Sequence, residues 1–250
     1  VSFPNNSPVF IRGIEMDSKL EKWKRWIDVI KKDVTFILID QHVYIDLLKI
    51  LKKNPQNDGF AFFYNFVTRG YIASTLMGIR RQIKTNFDSI SLIMLLNDIQ
   101  ANINILNSEI LIRRSNYKGC DSHEINDYLS PEFLEKHNKD EAQKIYKIIT
   151  AKFIQSDINH LSTSVQRCED YSDKRIAHLD KRPVKNIPTF DELNKCISLL
   201  EKLILKYERL ITGSAYAQLY PEPQFPWKKI FEKPWIELKK KSVHSPTKRH

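Results

Sequence analysis

Cysteine is scarce in this chain and badly placed for cross-linking. Its three cysteines, Cys120, Cys168 and Cys196, are far apart and odd in number, so they form no disulfide framework. Cys120 and His123 make one Cys-x-x-His pair, but no second pair follows at zinc spacing, and a structural metal site is not expected. No apolar run is long enough to cross a bilayer, and nothing near Val1 reads as a signal peptide. The sequence opens on Val1 rather than Met, which leaves room for residues upstream. No internal repeat or low-complexity domain occurs. These absences point to a cytoplasmic protein with no membrane partner, no metal and no cofactor.

The composition that remains is that of a globular chain. Its 250 residues are 42% hydrophobic and 28% charged, enough to bury one large core, with disorder confined to the ends. The net charge of +10 is unevenly spread. Lys228, Lys229, Lys233, Lys239, Lys240, Lys241, Lys248 and Arg249 face only Glu232 and Glu237, so most of the excess lies in the last stretch. A mildly basic body with a strongly basic tail fits a nucleic-acid partner, and equally fits a solvated tail.

Periodicity predicts an all-α bundle of long antiparallel helices. Residues 1–16, with Pro4 and Pro8, read as an irregular lead-in, and Ser18 with Glu21 forms a capping box for the first helix. Two rows then repeat every seven residues: Leu20, Ile27, Val34, Gln41, Leu48, and Trp23, Ile30, Ile37, Tyr44, Leu51. This seam is expected to pack on the chain's own later helices, with a dimer seam as the alternative. A turn over 54–59 precedes a helix from Phe60 to Thr85, opening on Phe60, Phe62, Phe63, Tyr64 and Phe66. These aromatics are expected in the core rather than against RNA bases. Near its end Arg80 and Arg81 need an acidic or phosphate partner, an ion pair to another helix being the first expectation.

Asp88 or Ser89 should cap a third helix through Leu106, extending toward Arg114 before a loop through Lys118-Gly119-Cys120-Asp121. Ser130-Pro131 suits the start of a short helix, and Asn138 with Glu141 the start of a long one carrying Ile145, Ile149, Ile154, Ile158, Leu161 and Val165. Arg182-Pro183 stops it. Thr189-Phe190-Asp191-Glu192 is a capping box for a closing helix that ends at Gly213. The body therefore spans 17–213, followed by an extended aromatic and proline-rich arm over 214–236 that packs on the bundle, and a basic tail over 237–250.

The stretch from Tyr171 to Arg182 is where chemistry concentrates. On a continuous helix Lys174 and Arg175 would flank His178 on one side, Lys181 and Arg182 on the other, with Tyr171 two turns back. Cations on both sides would favour a neutral imidazole suited to general-base work and could hold a phosphate. The plain alternative is a solvated basic helix end that complements the helix dipole.

Asp173-Lys174-Arg175-Ile176-Ala177-His178-Leu179-Asp180 resembles the signature helix of the HEPN superfamily, particularly its AbiU-like abortive-infection branch. Supporting stretches are Tyr64–Val67, Gly78–Ile83 with Ser89–Leu92, and Pro226–Trp235, so that the likeness covers roughly 17–236. It implies an all-helical, commonly dimeric protein, many of whose kin are metal-independent endoribonucleases using Arg, four to six residues, then His. Ala177-His178 matches the end of that motif. Tyr171, Ser172 and Asp173 stand where its Arg would fall. The resemblance thus implies His178 as acid or base, with Arg175 as a substitute clamp and Arg80 or Arg81 as candidates for a displaced arginine. Lys174, Lys181, Arg182 and Tyr171 complete the expected phosphate or RNA contacts. RNA, a second copy of the chain and an antitoxin or other defence-system protein are the partners it implies. A catalytically inactive module that dimerises and binds RNA, nucleotide or protein is the alternative.

Overall fold

A computed structural model of the chain describes residues 8–53, 60–86, 88–116, 149–178, 180–181, 186–221 and 225–232. Among them there is no strand, and six α-helices account for the fold: α1 (Pro8–Lys53), α2 (Phe60–Ile83), α3 (Leu92–Ala101), α4 (Ile103–Asn116), α5 (Ala151–Tyr171) and α6 (Phe190–Thr212). A π-helical turn, Ser172–Ala177, continues α5. No described helix is long and apolar enough to cross a membrane. The compact unit that contains the six helices extends to Tyr220.

The seven-residue seam of α1 is the spine of the core. Trp23, Ile27, Ile30 and Val34 are fully buried and Leu20, Ile37 and Tyr44 nearly so, and α1 packs mainly on α2 and α6. Each such aliphatic side chain contributes roughly 1.5–3 kcal/mol on leaving water. The seam is therefore closed by the chain itself. Its one polar member, Gln41, donates its side-chain amide to Asn194 of α6 at 2.7 Å, which removes the penalty of an unpaired polar group.

Several boundaries differ from the sequence reading. α1 begins at Pro8, ten residues ahead of the Ser18/Glu21 box. A capping box can act only where the backbone upstream leaves the helix, whereas here the preceding turns continue it and proline suits the first position. α3 is capped by Ser91, not Asp88 or Ser89: its Oγ accepts the Met94 N–H at 3.3 Å and donates to the Lys84 carbonyl at 2.6 Å. The helix then breaks at Asn102, whose side-chain amide bonds to the Asp98 carbonyl at 2.8 Å, so the one expected helix is two. The cap of α5 is Thr150 rather than Asn138. Asn138, the Ser130-Pro131 start, the 118–121 loop and Arg182-Pro183 lie outside the described residues.

The aromatic opening of α2 also departs from expectation. Phe62, Phe63 and Phe66 are exposed, and the buried aromatic is Tyr71. Tyr71 stacks on Tyr44 at 4.0 Å, and Tyr44 in turn meets Phe190, the first residue of α6, at 6.0 Å. α6 starts at that level, so the first turns of α2 run past it with no third helix among the described residues to cover them.

Both ends of α6 are fixed as the sequence predicts. Thr189 and Glu192 form a reciprocal capping box, and Gly213 closes the helix in the left-handed region at φ 78°, where a side chain would be strained. Residues beyond Gly213 lie on the bundle as far as Tyr220: Leu219 is buried, its N–H bonds to Glu201 at 2.9 Å, and Tyr220 stacks on His42 at 4.2 Å. The remaining unit, from Pro221, holds a 3-10 turn over Trp227–Phe231, with the two end rings edge to face at 6.2 Å. Residues 237–250 lie outside the described residues.

Candidate functional site

Helix α5 is amphipathic and buries Ile154, Ile158, Leu161, Val165 and Cys168. At Ser172 its ladder widens into the π-helical turn. The Ser172 hydroxyl is buried against Met77 of α2, with Oγ 3.3 Å from the sulfur. His178 follows the turn in an extended conformation, φ −138° and ψ 149°. The four-residue spacings that would surround it with cations on a helix therefore do not apply, because the helix has ended.

Two hydrogen bonds shape the exit. Asp180 N–H returns to the Lys174 carbonyl at 3.1 Å, and the Arg175 guanidinium donates to the Asp180 carbonyl at 2.7 Å. Arg175 thus ties down the backbone on the far side of His178 instead of pointing a clamp at a substrate.

His178 is exposed on the wall of a cleft of about 650 Å³ lined by Arg80, Asp170, Asp173, Lys174, His178 and Asp180. Arg80 reaches it from α2 and pairs with Asp173 through its Nε. Lys84 supports the same carboxylate at 3.4 Å and Glu169 at 3.7 Å. Burial acts to raise the Asp173 pKa, but the Arg80 guanidinium and the Lys84 ammonium outweigh it and hold the carboxyl below its ordinary value. Among the described residues no hydrogen bond or ion pair engages the His178 imidazole. The surroundings are mixed in charge, with three carboxylates against two permanent cations, and not the basic ring that a helical reading predicts.

The other predicted residues divide clearly. Arg81 leaves the site: it clasps Asp33 of α1 at 2.6 and 3.2 Å, beside Gln82, whose amide bonds to Asp33 at 2.6 Å. Tyr171 packs against the core, Lys181 is exposed away from the cleft lining, and Arg182 lies outside the described residues. Asp170, on α5 ahead of the π-helical turn, and Asp180, just beyond it, also line the cleft, although sequence reasoning did not single them out. No periodicity signals such a turn. Among the described residues no cluster of three His, Cys, Asp or Glu side chains is placed to hold a metal, and Cys120 and His123 fall outside them.

A family model described as AbiU2, of the HEPN group, matches residues 20–233. The chain belongs to the HEPN AbiU2 family. Comparisons with curated proteins and with solved structures gave no match. Membership places the protein among abortive-infection HEPN proteins and fits the all-helical fold. In the AbiU2 chain Tyr171, Ser172 and Asp173 occupy the spacings ahead of His178 and Ser172 is buried, while an arginine from α2 lines the histidine's cleft.

Proposed function

We propose that this AbiU2-family protein acts on RNA as a metal-independent endoribonuclease, with His178 as the proton-transfer residue and Arg80 as the phosphate clamp. The observation that carries the reading is the meeting of Arg80 and His178 on one cleft from two separate elements. His178 takes the proton of a ribose 2′-hydroxyl, whose oxygen attacks the adjacent phosphorus; the bond to the next 5′-oxygen breaks, that oxygen takes a proton from water, and the imidazolium returns its own to solvent. The products are a 2′,3′-cyclic phosphate and a 5′-hydroxyl. Arg80 exchanges Asp173 for the phosphate and offsets the charge that develops on it. Arg175 serves as a positioning residue through its bond to Asp180, and Lys174 adds charge at the rim. The protein acts in the cytoplasm on this reading, as a homodimer, and an antitoxin or another defence-system protein restrains it.

A second reading has its own support. Arg80 is already neutralised by Asp173, and three carboxylates line the cleft, as would suit an inactive module that dimerises and binds RNA, nucleotide or a partner protein. Cleavage of mixed RNA in chelator separates the two. The nuclease reading expects cyclic-phosphate ends that vanish with His178→Ala and fall steeply with Arg80→Ala, while Arg175→Ala has the smaller effect. Cleavage indifferent to His178, or none from a folded dimer, would sink it in favour of the binding module.

A further inference from the structure

The cleft offers an RNA chain little to hold. Asp170, Asp173 and Asp180 share it with Arg80, Lys174 and His178, and a polyanion gains affinity in proportion to the phosphates that cations neutralise. A substrate so charged needs a second foothold. The exposed side of α1 has the residues for one.

Arg25, Val29, Lys32 and Phe36 recur at alternating helical spacings and so form one stripe along α1. All four face solvent, Phe36 with 66% of its surface exposed and Val29 with 47%. Lys31 is committed to Asp28 at 3.5 Å and to the buried Glu208. By contrast, no ion pair engages Arg25 or Lys32 among the described residues. The stripe therefore interleaves apolar side chains with cations whose counter-charge is not supplied by a described side chain.

At the Phe36 end the stripe opens into a groove of about 280 Å³, walled on one side by Lys32, Thr35 and Phe36 and on the other by Tyr216 and Gln218. The second wall is irregular but fixed, because Leu219 is buried with its N–H on Glu201 and Tyr220 lies on His42. Tyr216 is held there with 54% of its surface exposed. The volume of about 280 Å³ falls just below the range of ligand pockets, about 300 to 1,000 Å³. It suits one flat ring better than a larger ligand.

We propose that this groove and stripe are a subsite for single-stranded RNA, in which one base lies against Phe36 and Tyr216 and the neighbouring phosphates run along Lys32 and Arg25. The proposal rests on the reading that the protein acts on RNA, and adds where the chain is gripped away from the cleft. An aromatic surface with adjacent cations is what unstacked bases and their backbone require. An apolar protein helix laid on the same stripe would cover Lys32 and Arg25 without a counter-charge, which is costly. The placement is also apt for a strand that continues to the cleft. Asp33, next to Lys32, bonds to Arg81, so the stripe sits at the level of the bundle where Arg80 meets Asp173.

The test uses the full-length His178→Ala protein, so that cleavage does not interfere, and a fluorescent single-stranded oligouridylate titrated at several salt concentrations. Phe36→Ala and Tyr216→Ala are each expected to weaken binding about tenfold without changing its salt dependence. The double variant Arg25→Gln/Lys32→Gln is expected to reduce the slope of log affinity against log salt by about 1.4. Affinity within twofold of the parent in all of these variants overturns the subsite, even if His178-dependent cleavage is found. Groove-dependent binding, where the protein with His178 intact cleaves nothing, upholds the subsite and removes the nuclease. Loss of self-association in Phe36→Ala, with RNA affinity untouched, overturns it by assigning the face to protein contact.

Discussion

The indole N–H of Trp23 donates to the Asp98 carboxylate at 2.9 Å, joining the largest fully buried side chain of α1 to α3. Lys19 and Lys22 converge on the same carboxylate at 3.1 and 3.0 Å. Burial acts to raise the Asp98 pKa, yet these donors together lower it. Asp98→Ala leaves the fully buried indole N–H without an acceptor and is expected to cost about 2–3 kcal/mol in urea unfolding. Because the folded-state pKa is depressed, the contribution is complete above the ordinary carboxylate range and is lost as pH falls through the depressed value. Wild type and variant should therefore differ at neutral pH and converge in strong acid.

Arg80 and Asp173 provide the corresponding prediction at the site. Asp173→Asn removes the charge that occupies the guanidinium, and in a His178→Ala background RNA affinity should rise several-fold. The depressed carboxyl of Asp173 keeps the pair intact at neutral pH and releases it only below the ordinary carboxylate range. The gain from Asp173→Asn should accordingly shrink as wild type is taken below the ordinary carboxylate range. Affinity unchanged at neutral pH would show that Arg80 does not meet phosphate.

Gly78 of α2 lies directly against Ile37 of α1. A Cβ there would lie 2.6 Å from Ile37 Cδ1 and 2.8 Å from its Cγ1, and Ile37 is itself buried. Alanine gains about 1 kcal/mol in helix propensity but overpacks the seam by about 1–3 kcal/mol. Gly78→Ala should lower the melting temperature, and Ile37→Val in the same chain should restore part of it. Simple additivity of the two would contradict the contact.

Cys168 and Cys196 face each other at 3.7 Å between α5 and α6, both buried. Hydrogen bonding to Cys196 and burial push the Cys168 thiol up from its ordinary value, so it stays protonated and unreactive at neutral pH. A thiol reagent should reach these two positions only after denaturant is added. Prompt labelling of either in the native protein, read by peptide mass, would contradict the packing.

Much of the fold was legible because it rests on period. The rows from Leu20 to Leu51 have the repeat of a packed helix, and Thr189 with Glu192 caps α6 as its residue types require. What escaped depends on neighbours or on irregular backbone. Nothing within Ser18–Glu21 tells whether the chain upstream is already helical. The exposure of Phe62, Phe63 and Phe66 follows from where α6 begins, a fact held elsewhere in the sequence. At the site, His178 was legible as a residue type, but its surroundings were inferred from α-helical spacing that ends at Ser172. Arg80 was legible as a cation needing a partner, and its partner proved to be Asp173.

The π-helical turn ahead of His178 accommodates one more residue than an α-helical turn would. Removing a single residue from Ser172–Ala177 would let the regular ladder resume and swing the histidine to a different side of the bundle, even if every side chain around the cleft were kept. The site is thus specified by the length of that segment as well as by its letters. Relatives that share all the residues but not the count would carry the histidine somewhere else.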